Sequence, residues 1–279
     1  MSSQRGQERA NPMNKNLTFL KLGGSLITDK NSPSTALKGV IDRIAAEVAA
    51  AREQVPGMQL LLGHGSGSFG HVPAKEYNTR AGVRTQEQWE GFARVWYEAR
   101  SLNQIVVESL AAAGLPILAI SPSSAVTASN GKVLSWDTSP ATNALQAGLI
   151  PVVYGDVIFD TEMGGTILST EELFFHLAGI LEPARILIAG IENAVYADFP
   201  QNTAGIPEIT PKTYPGMLEK IHPSEFTDVT GGMAAKAGSL VNLISLQPGL
   251  QAWIFSGTVP RSIYQALAAQ PRGGTRIHN

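Results

Sequence analysis

Cysteine is absent from the 279 residues of the chain, which excludes disulfide bonds, thiolate nucleophiles and cysteine-based zinc sites. The chain also lacks an excess of either charge, because 21 basic residues stand against 23 acidic ones and the formal net charge is -2. This balance gives no electrostatic reason to expect nucleic acid or an anionic membrane surface as a partner. No apolar run approaches the roughly 20 residues that a membrane-spanning helix needs, so we expect no membrane insertion.

The first stretch of the sequence, MSSQRGQERANPMNKN, is polar and has no apolar core of the kind found in secretory signals. It also has no apolar face, which argues against an amphipathic targeting peptide. We therefore predict a disordered polar tail over residues 1–15 and expect the protein in the cytosol.

Apolar residues make up 43% of the chain, and they recur in short runs that are typical of buried strands. Six such runs are LTFLKLGG, MQLLLGHG, PILAIS, IPVVYGD, ARILIAG and LQAWIFSG, and GTRI near the C-terminus predicts a short edge strand. Helical periodicity covers about residues 35–53 and 85–113. The alternation predicts an α/β fold, a three-layer αβα sandwich with a central, mostly parallel sheet.

Glycine follows or closes five of the six predicted strands. The carboxyl ends of parallel strands share one edge of a sheet, and ligands of open α/β sheets bind at that edge. A single glycine would indicate only a tight turn. The repetition predicts a long cleft lined by backbone amides, and since no repeat or low-complexity linker divides the chain, we expect one domain over residues 16–279.

The glycine-rich stretch GHGSGSFGH (63–71) contains the spacing of a dinucleotide-binding fingerprint. That fingerprint belongs in the first strand-to-helix turn, with an acidic residue about 20 positions on at the end of the next strand. Here it follows the second predicted strand, VPAKEYNTRAGVRT after it does not read as a helix start, and Glu87 and Glu90 lie in a helical pattern. We therefore favour another anion cradle, in which Ser66 and the backbone amides lead to His71.

Lysine occurs at two places where an anion could bind. Lys21 lies inside an apolar strand, where a lysine is costly to bury unless it is paired, and it precedes the glycine pair of KLGGS. The segment DVTGGMAAK (228–236) places Lys236 on the first turn of a predicted helix, although a solvated lysine is the ordinary reading of that pattern alone. Lys30 is a weaker candidate, since loop lysines are usually solvated.

These motifs occur in one order along the chain: Lys-x-Gly-Gly-Ser, Gly-Ser-Phe-Gly-His, Gly-Asp and Asp-Val-Thr-Gly-Gly-Met-x-x-Lys. Together they resemble the amino acid kinase superfamily, and within it the isopentenyl phosphate kinases, over about residues 17–279. The resemblance implies transfer of the γ-phosphoryl group of ATP to isopentenyl phosphate, with Mg²⁺ bridging the ATP phosphates. It also implies a homodimer, an acceptor-binding lobe over about 16–160 and a nucleotide-binding lobe over about 161–279.

The same resemblance assigns roles to individual positions. Lys21, His71 and Lys236 are the expected catalytic residues. The expected nucleotide-binding residues are Lys21, Leu22, Gly23, Gly24, Ser25, Lys30, Gly67, Glu171, Gly190, Gly232 and Lys236. The expected acceptor-binding residues are Ser66, Gly70, His71 and Gly155. An acceptor monophosphate is already a nucleophile, so alignment and charge neutralisation suffice and no catalytic carboxylate is required.

A hydrocarbon tail on the acceptor would need an apolar pocket near His71. The helix predicted over 85–113 carries an aromatic stripe, and although such stripes are more often core, we select Phe92 and Trp96 as pocket residues. A relative that phosphorylates a carboxylate would instead commit a cationic side chain to the substrate, and Arg80 or Arg84 could fill that role.

Two alternatives follow from departures from the family pattern. Where relatives have Ser-Gly-Asp-Asp, this chain has Thr170 and Glu171 after Ser169, and the acidic pair near Gly190 is missing. These changes indicate altered or weakened nucleotide binding, and they leave open a catalytically inactive nucleotide-binding regulator. The histidine is shared with fosfomycin kinase, which leaves open another small phosphate or phosphonate as the acceptor.

Overall fold

The computed structural model describes residues 14–198, 200–217 and 232–279. The strands within these ranges are β1 Asn14–Leu22, β2 Gln59–His64, β3 Ile117–Ala119, β4 Val126–Ser129, β5 Lys132–Trp136, β6 Ile150–Tyr154, β7 Asp156–Asp160, β8 Gly164–Leu168, β9 Pro183–Gly190, β10 Val195–Tyr196, β11 Gly205–Ile206, β12 Glu208–Ile209, β13 Gln251–Ser256 and β14 Thr275–Ile277. The α-helices are α1 Gly24–Ile27, α2 Lys38–Gln54, α3 Gly67–Glu76, α4 Gln86–Ala112, α5 Pro122–Ala125, α6 Ser139–Gln146, α7 Thr170–Leu181, α8 Tyr214–Met217, α9 Gly232–Leu246 and α10 Ser262–Ala268, and a 3-10 helix covers Thr79–Ala81.

The central sheet has eight strands in the order β12-β14-β13-β9-β1-β2-β6-β3. The six strands from β13 to β3 are parallel, which confirms the mostly parallel sheet. The segment GTRI forms β14, antiparallel to β13 and parallel to β12 on its other side. The expectation of an edge strand there is wrong, because β12 has only two residues and is too short to give a periodic signal.

The sheet is covered by helices on both faces. Successive side chains of a strand point to opposite faces, and β1 separates them accordingly. Leu20 packs in a cluster with residues of α2, α4 and α10. Phe19 packs in a second cluster with α7 and α9, and its ring lies 5.1 Å from that of Phe174 in an edge-to-face arrangement. The three-layer αβα sandwich is thereby confirmed.

A smaller sheet, in the order β5-β4-β7-β8, lies beside the central one. Helix α4 packs on it through a cluster that includes Phe92, Val95 and Val157. The helix begins at Thr85, whose side chain accepts a hydrogen bond from the Gln88 amide while the Gln88 side chain accepts one from the Thr85 amide. This capping box fixes the start of α4 and confirms the helix predicted over 85–113.

The glycine turns meet at the carboxyl edge of the parallel strands, as the sequence predicts. Gly23 donates a backbone hydrogen bond to Ala189 at 2.7 Å, and Gly65 donates one to Leu22 at 3.0 Å. The amide of Gly155 donates to the carbonyl of His64 at 3.3 Å. Each turn therefore continues the hydrogen-bond ladder of the neighbouring strand, which gathers the turns into one surface.

The glycine-rich segment after β2 is helical, contrary to the sequence reading. Helix α3 begins at Gly67, inside the GHGSGSFGH stretch, and continues through Pro73 to Glu76. Burial of Phe69 and Ala74, which are 4% and 5% exposed, outweighs the local bias of glycine and proline against a helix. The turn after β2 is thus a helix start, whose amide groups face the same edge of the sheet.

Candidate functional site

A cavity of about 730 Å³ follows the carboxyl edge of the central sheet. It receives residues from the turns after β1, β2, β6 and β9 and from the first turns of α3, α7 and α9. The predicted site residues that line it are Lys21, Gly23, Gly24, Ser25, Lys30, Ser66, Gly67, Gly70, His71, Gly155, Glu171, Gly190, Gly232 and Lys236. The structure therefore brings all three expected catalytic residues, Lys21, His71 and Lys236, to one cavity.

The turns after β1 and β2 touch through their backbones. A methyl group built on Gly24 would lie 2.4 Å from the nitrogen of Gly67, and one built on Gly65 would lie 2.9 Å from the nitrogen of Gly24. Contacts this short leave no room for side chains. Glycine at these positions therefore lets two sets of backbone amides lie side by side along the cavity.

Lys21 forms a buried ion pair with Glu171 at the start of α7. The lysine is 5% exposed and the glutamate 8%. Burial raises the pKa of Glu171, but the charges of Lys21 and Lys236 and the hydrogen bond from Lys21 outweigh it, so the pKa lies below its usual value. The carboxylate is therefore ionised at neutral pH and interacts with the charges of both lysines. Its negative charge offsets the cost of burying the ammonium group of Lys21.

Thr170, which the sequence analysis treats as a departure from the family pattern, fits the structure. The side chain is 1% exposed, and its hydroxyl donates to the carbonyl of His64 at 2.6 Å. Its methyl group occupies space beside Gly63, where a methyl group on the glycine would lie 2.6 Å away. The threonine therefore anchors the first turn of α7 to the end of β2.

The two histidines of the glycine-rich segment have different surroundings. His71 lies on α3 and lines the cavity. His64 is 1% exposed, and its ring nitrogens lie 3.1 Å from Asn103 Oδ1 and 3.2 Å from the Gly65 carbonyl. Burial lowers the pKa of His64, so its imidazole is neutral at neutral pH. His64 therefore contributes to the packing of α4 against β2 and not to the cavity.

The cavity is apolar where it meets α3 and α4. Val95 and Ala99 line it, four residues apart on one face of α4, and Ala74 of α3 and Ile167 of β8 line it as well. Val95 is 3% exposed and Ala99 is 1% exposed. The lining of the cavity thus combines cationic side chains and backbone amides with a group of hydrocarbon side chains.

Comparison with known proteins identifies the family of the chain. The sequence model of the amino acid kinase family matches residues 16–256. The chain belongs to the amino acid kinase family. It is 32% identical over 268 residues to the isopentenyl phosphate kinase of Methanothermobacter thermautotrophicus, which covers 94% of this chain and 98% of that protein. The corresponding protein of Methanocaldococcus jannaschii is 32% identical over 263 residues, which is 92% of this chain and 97% of that one.

Solved structures agree with this assignment. An X-ray structure of an isopentenyl phosphate kinase superposes with a TM-score of 0.78 at 29% identity, covering 94% of this chain and 99% of the other. The amino acid kinase fold therefore extends over nearly the whole length of the chain.

Three of the residues selected from the sequence do not line the cavity of this amino acid kinase. The side chain of Leu22 is buried in the core, with 2% of the residue exposed. Its carbonyl accepts the hydrogen bond from the amide of Gly65 in the neighbouring turn. Phe92 packs against the rings of Trp89 and Phe159, each 5.2 Å away, and Trp96 is 37% exposed. The residues of α4 that line the cavity are instead Val95 and Ala99, and a role of Phe92 and Trp96 in acceptor binding stays a prediction.

The two arginines considered for a carboxylate substrate are engaged elsewhere in this kinase. Arg80 lines the cavity, but its guanidinium contacts both carboxylate oxygens of Glu172, at 2.8 and 3.1 Å, and the Ile167 carbonyl at 3.0 Å. Arg84 donates to the carbonyl of Glu162 at 3.2 Å and does not line the cavity. The geometry therefore gives no support to a carboxylate substrate held by either arginine.

Asp156 is a lining residue that the sequence analysis did not select. It is 1% exposed and accepts backbone hydrogen bonds from Ser123 at 3.2 Å and from Val157 at 2.9 Å. Burial raises the pKa of Asp156 from 3.8 to about 6, against the opposing effect of these hydrogen bonds. The Gly-Asp pair after β6 was the available signal, but burial of the aspartate is not visible in one sequence.

Asp156 should make the stability of the kinase fall as pH rises. Because its pKa is raised from 3.8 to about 6, the folded protein holds this proton more tightly than the unfolded chain across that range. We expect Asp156→Asn, which cannot titrate, to gain on the order of 2 to 3 kcal/mol of unfolding free energy relative to wild type between about pH 4 and pH 7. Urea unfolding at a series of pH values measures this, with the exposed Asp137→Asn as control. A difference between Asp156→Asn and wild type that does not change with pH would contradict the assignment.

No helix in residues 14–198, 200–217 and 232–279 is long and apolar enough to cross a bilayer.

Proposed function

We propose that this protein transfers the γ-phosphoryl group of ATP to isopentenyl phosphate and releases isopentenyl diphosphate and ADP. One observation carries the proposal: a single cavity is lined by Lys21 at the sheet edge, by His71 and by apolar side chains of α3, α4 and β8. The whole-length relatives that are named isopentenyl phosphate kinases support the same substrates. The part of the chain before about residue 160 would form the acceptor-binding lobe and the part after about 161 the nucleotide-binding lobe, with the turn after β1 also contributing to the nucleotide site.

At the nucleotide end, backbone amides and two lysines would hold the ATP phosphates. The turn Gly23, Gly24 and Ser25 would contribute amides, and Lys21 and Lys236 would offset the charge that develops on the transferring group. Lys30, Gly67, Gly190 and Gly232 would contact the nucleotide beside them. Glu171, ionised and paired with Lys21, would keep the ammonium groups in place.

At the acceptor end, His71 would hydrogen-bond the monophosphate. The amides of Ser66 and Gly70 and the turn at Gly155 would complete this subsite. An oxygen of the acceptor phosphate attacks the γ-phosphorus, and the bond from that phosphorus to the ADP oxygen breaks. No proton has to be removed from the nucleophile, so alignment and charge neutralisation carry the catalysis.

The side chains around the cavity fit a magnesium ion that is bound mainly by the nucleotide phosphates and not by protein ligands. Glu171 is engaged by Lys21, and the part of the chain that the structure describes has no group of three or more His, Asp or Glu side chains that could hold a metal. Magnesium in such sites binds largely through substrate phosphates and retains several waters. When bound, Mg²⁺ would neutralise part of the charge on the β- and γ-phosphates.

The proposal is tested by measuring ADP release with isopentenyl phosphate and, in parallel, with fosfomycin. We expect turnover with isopentenyl phosphate that exceeds turnover with fosfomycin by at least about a hundredfold. Turnover with fosfomycin alone would show that the acceptor is a phosphonate and would contradict the proposal. Failure of both acceptors would favour the inactive regulator, against which the shared cavity of Lys21, His71 and Lys236 argues. The homodimer and the cytosolic location stay predictions.

The apolar pocket is tested by filling it. Ala99→Leu adds three carbons where the tail would lie, and we expect the KM for isopentenyl phosphate to rise at least about tenfold while the KM for ATP stays within twofold. Ala93→Leu makes the same change on the exposed face of α4 and serves as the matched control. An unchanged acceptor KM in a folded Ala99→Leu variant would place the tail elsewhere.

A further inference from the structure

Thr28 connects the two glycine turns through one hydroxyl group. The side chain is 1% exposed and lies beyond α1, at the base of the loop that carries Lys30. Its Oγ1 donates to the carbonyl of Gly24 at 2.8 Å and accepts from the amide of Ser68 at 3.0 Å. The hydroxyl therefore joins the turn after β1, at the Gly24 carbonyl, to the start of α3, at the Ser68 amide.

The same side chain fills the space that Gly67 leaves. A methyl group built on Gly67 would lie 2.1 Å from Thr28 Oγ1 and 2.8 Å from its Cγ2. Gly67 also has a φ of +50°, in the left-handed region that favours glycine. The separation between the two turns is thus determined by packing against Thr28 as well as by its two hydrogen bonds.

The loop after Thr28 depends on the same contacts. Thr28 pairs with Ala36 in an isolated β-bridge that closes the loop. Ser34 within the loop donates its amide to the carbonyl of Ser68 at 3.3 Å. Ser68 is therefore linked both to Thr28 and to the loop. Loss of the hydroxyl bridge would therefore change the position of the loop and of Lys30, which lines the cavity.

We propose that Thr28 is a positioning residue, whose hydroxyl holds the phosphate-facing amides of the β1 turn and of the α3 start at the separation that phosphoryl transfer requires. The proposal rests on the proposed function, since the two amide sets are those assigned to ATP and to the acceptor. In-line transfer needs the reacting atoms within about 3 to 3.5 Å, and a misplacement of about 1 Å costs on the order of a hundredfold in rate.

The test compares Thr28→Val with Thr28→Ser. Valine keeps the shape but loses both hydrogen bonds, and we expect kcat to fall roughly 30- to 100-fold while the KM values for ATP and acceptor stay within about threefold. Serine keeps the hydroxyl, and we expect it to retain kcat within about threefold. Thr142→Val is the matched control, because Thr142 also donates to the carbonyl four residues earlier, at 3.1 Å, but in α6, away from the cavity.

Hydrogen–deuterium exchange of the Ser68 amide gives a second readout that needs no substrate. We expect faster exchange in Thr28→Val and protection close to that of wild type in Thr28→Ser. Wild-type kcat in Thr28→Val, equal losses in the valine and serine variants, or unfolding of Thr28→Val would each overturn the positioning role. If wild type fails to turn over isopentenyl phosphate, the proposed function fails, and the exchange comparison still decides whether the bridge exists.

Discussion

Lys21→Met is expected to lower kcat by roughly a thousandfold in a protein that still folds. Methionine preserves the length and the apolar stem of the side chain, so the change removes mainly the charge that faces the transferring phosphoryl group. The variant also leaves the buried Glu171 without its hydrogen-bonded partner. Removing one member of a buried pair costs about 3 to 5 kcal/mol, and urea unfolding should show a loss of about that size beside the kinetic loss.

The double variant Lys21→Met/Glu171→Gln separates the two effects. Glutamine removes the uncompensated carboxylate, and we expect most of the lost stability to return while kcat remains as low as in Lys21→Met. Lys38→Met is the control, because Lys38 forms an exposed pair with Asp42 on α2 and the same change there should alter neither quantity. Recovery of activity in the double variant would show that the role of Lys21 is only to neutralise Glu171.

His71→Ala is expected to lower kcat/KM for isopentenyl phosphate by about a hundredfold to a thousandfold and to leave the KM for ATP nearly unchanged. The reason is its place on α3, where it lines the same cavity as the glycine turns and the apolar side chains of α4. Steady-state kinetics with each substrate varied in turn measure this separation. A loss that falls equally on ATP would move His71 to the nucleotide end.

Two other histidines serve as controls for His71→Ala. His176 lies against the ring of Trp136, 5.8 Å away and outside the cavity, so His176→Ala should keep kcat/KM within about twofold. His64→Ala should lose stability instead, because it removes a buried ring between Asn103 and Tyr154. Full activity in His71→Ala would exclude this histidine from the mechanism.

The sequence was sufficient for the parallel part of the central sheet, because its six strands are short apolar runs and five of them end at or next to a glycine. It was insufficient for the second sheet, since β5 has only exposed and half-buried residues, in no regular alternation, and gives no clear apolar pattern. The helix α3 was missed for a related reason. Local preferences of glycine and proline argue against it, and only its packing in the folded protein favours it.

The sequence likewise predicted some features of the candidate site and missed others. Motif order predicted that Lys21, His71 and Lys236 would meet, but the partner of Lys21 lies 150 residues away and cannot be found from local sequence. Helical periodicity identified the aromatic stripe of α4, but not which of its neighbouring faces lines a cavity. Val95 and Ala99 were therefore missed. Thr28 gives no sequence signal because its contacts depend on tertiary structure, and the Gly-Asp pair does not reveal that Asp156 is buried.

A crystal structure with isopentenyl phosphate and a non-hydrolysable ATP analogue tests the central claim most directly, that one cavity brings two phosphorylated molecules end to end. We expect the γ-phosphorus within about 3 to 3.5 Å of an acceptor phosphate oxygen, in line with the leaving oxygen, with Lys21 on the nucleotide side and His71 on the acceptor side. Two ligands bound with unconnected phosphates, or an acceptor phosphate remote from His71, would contradict it.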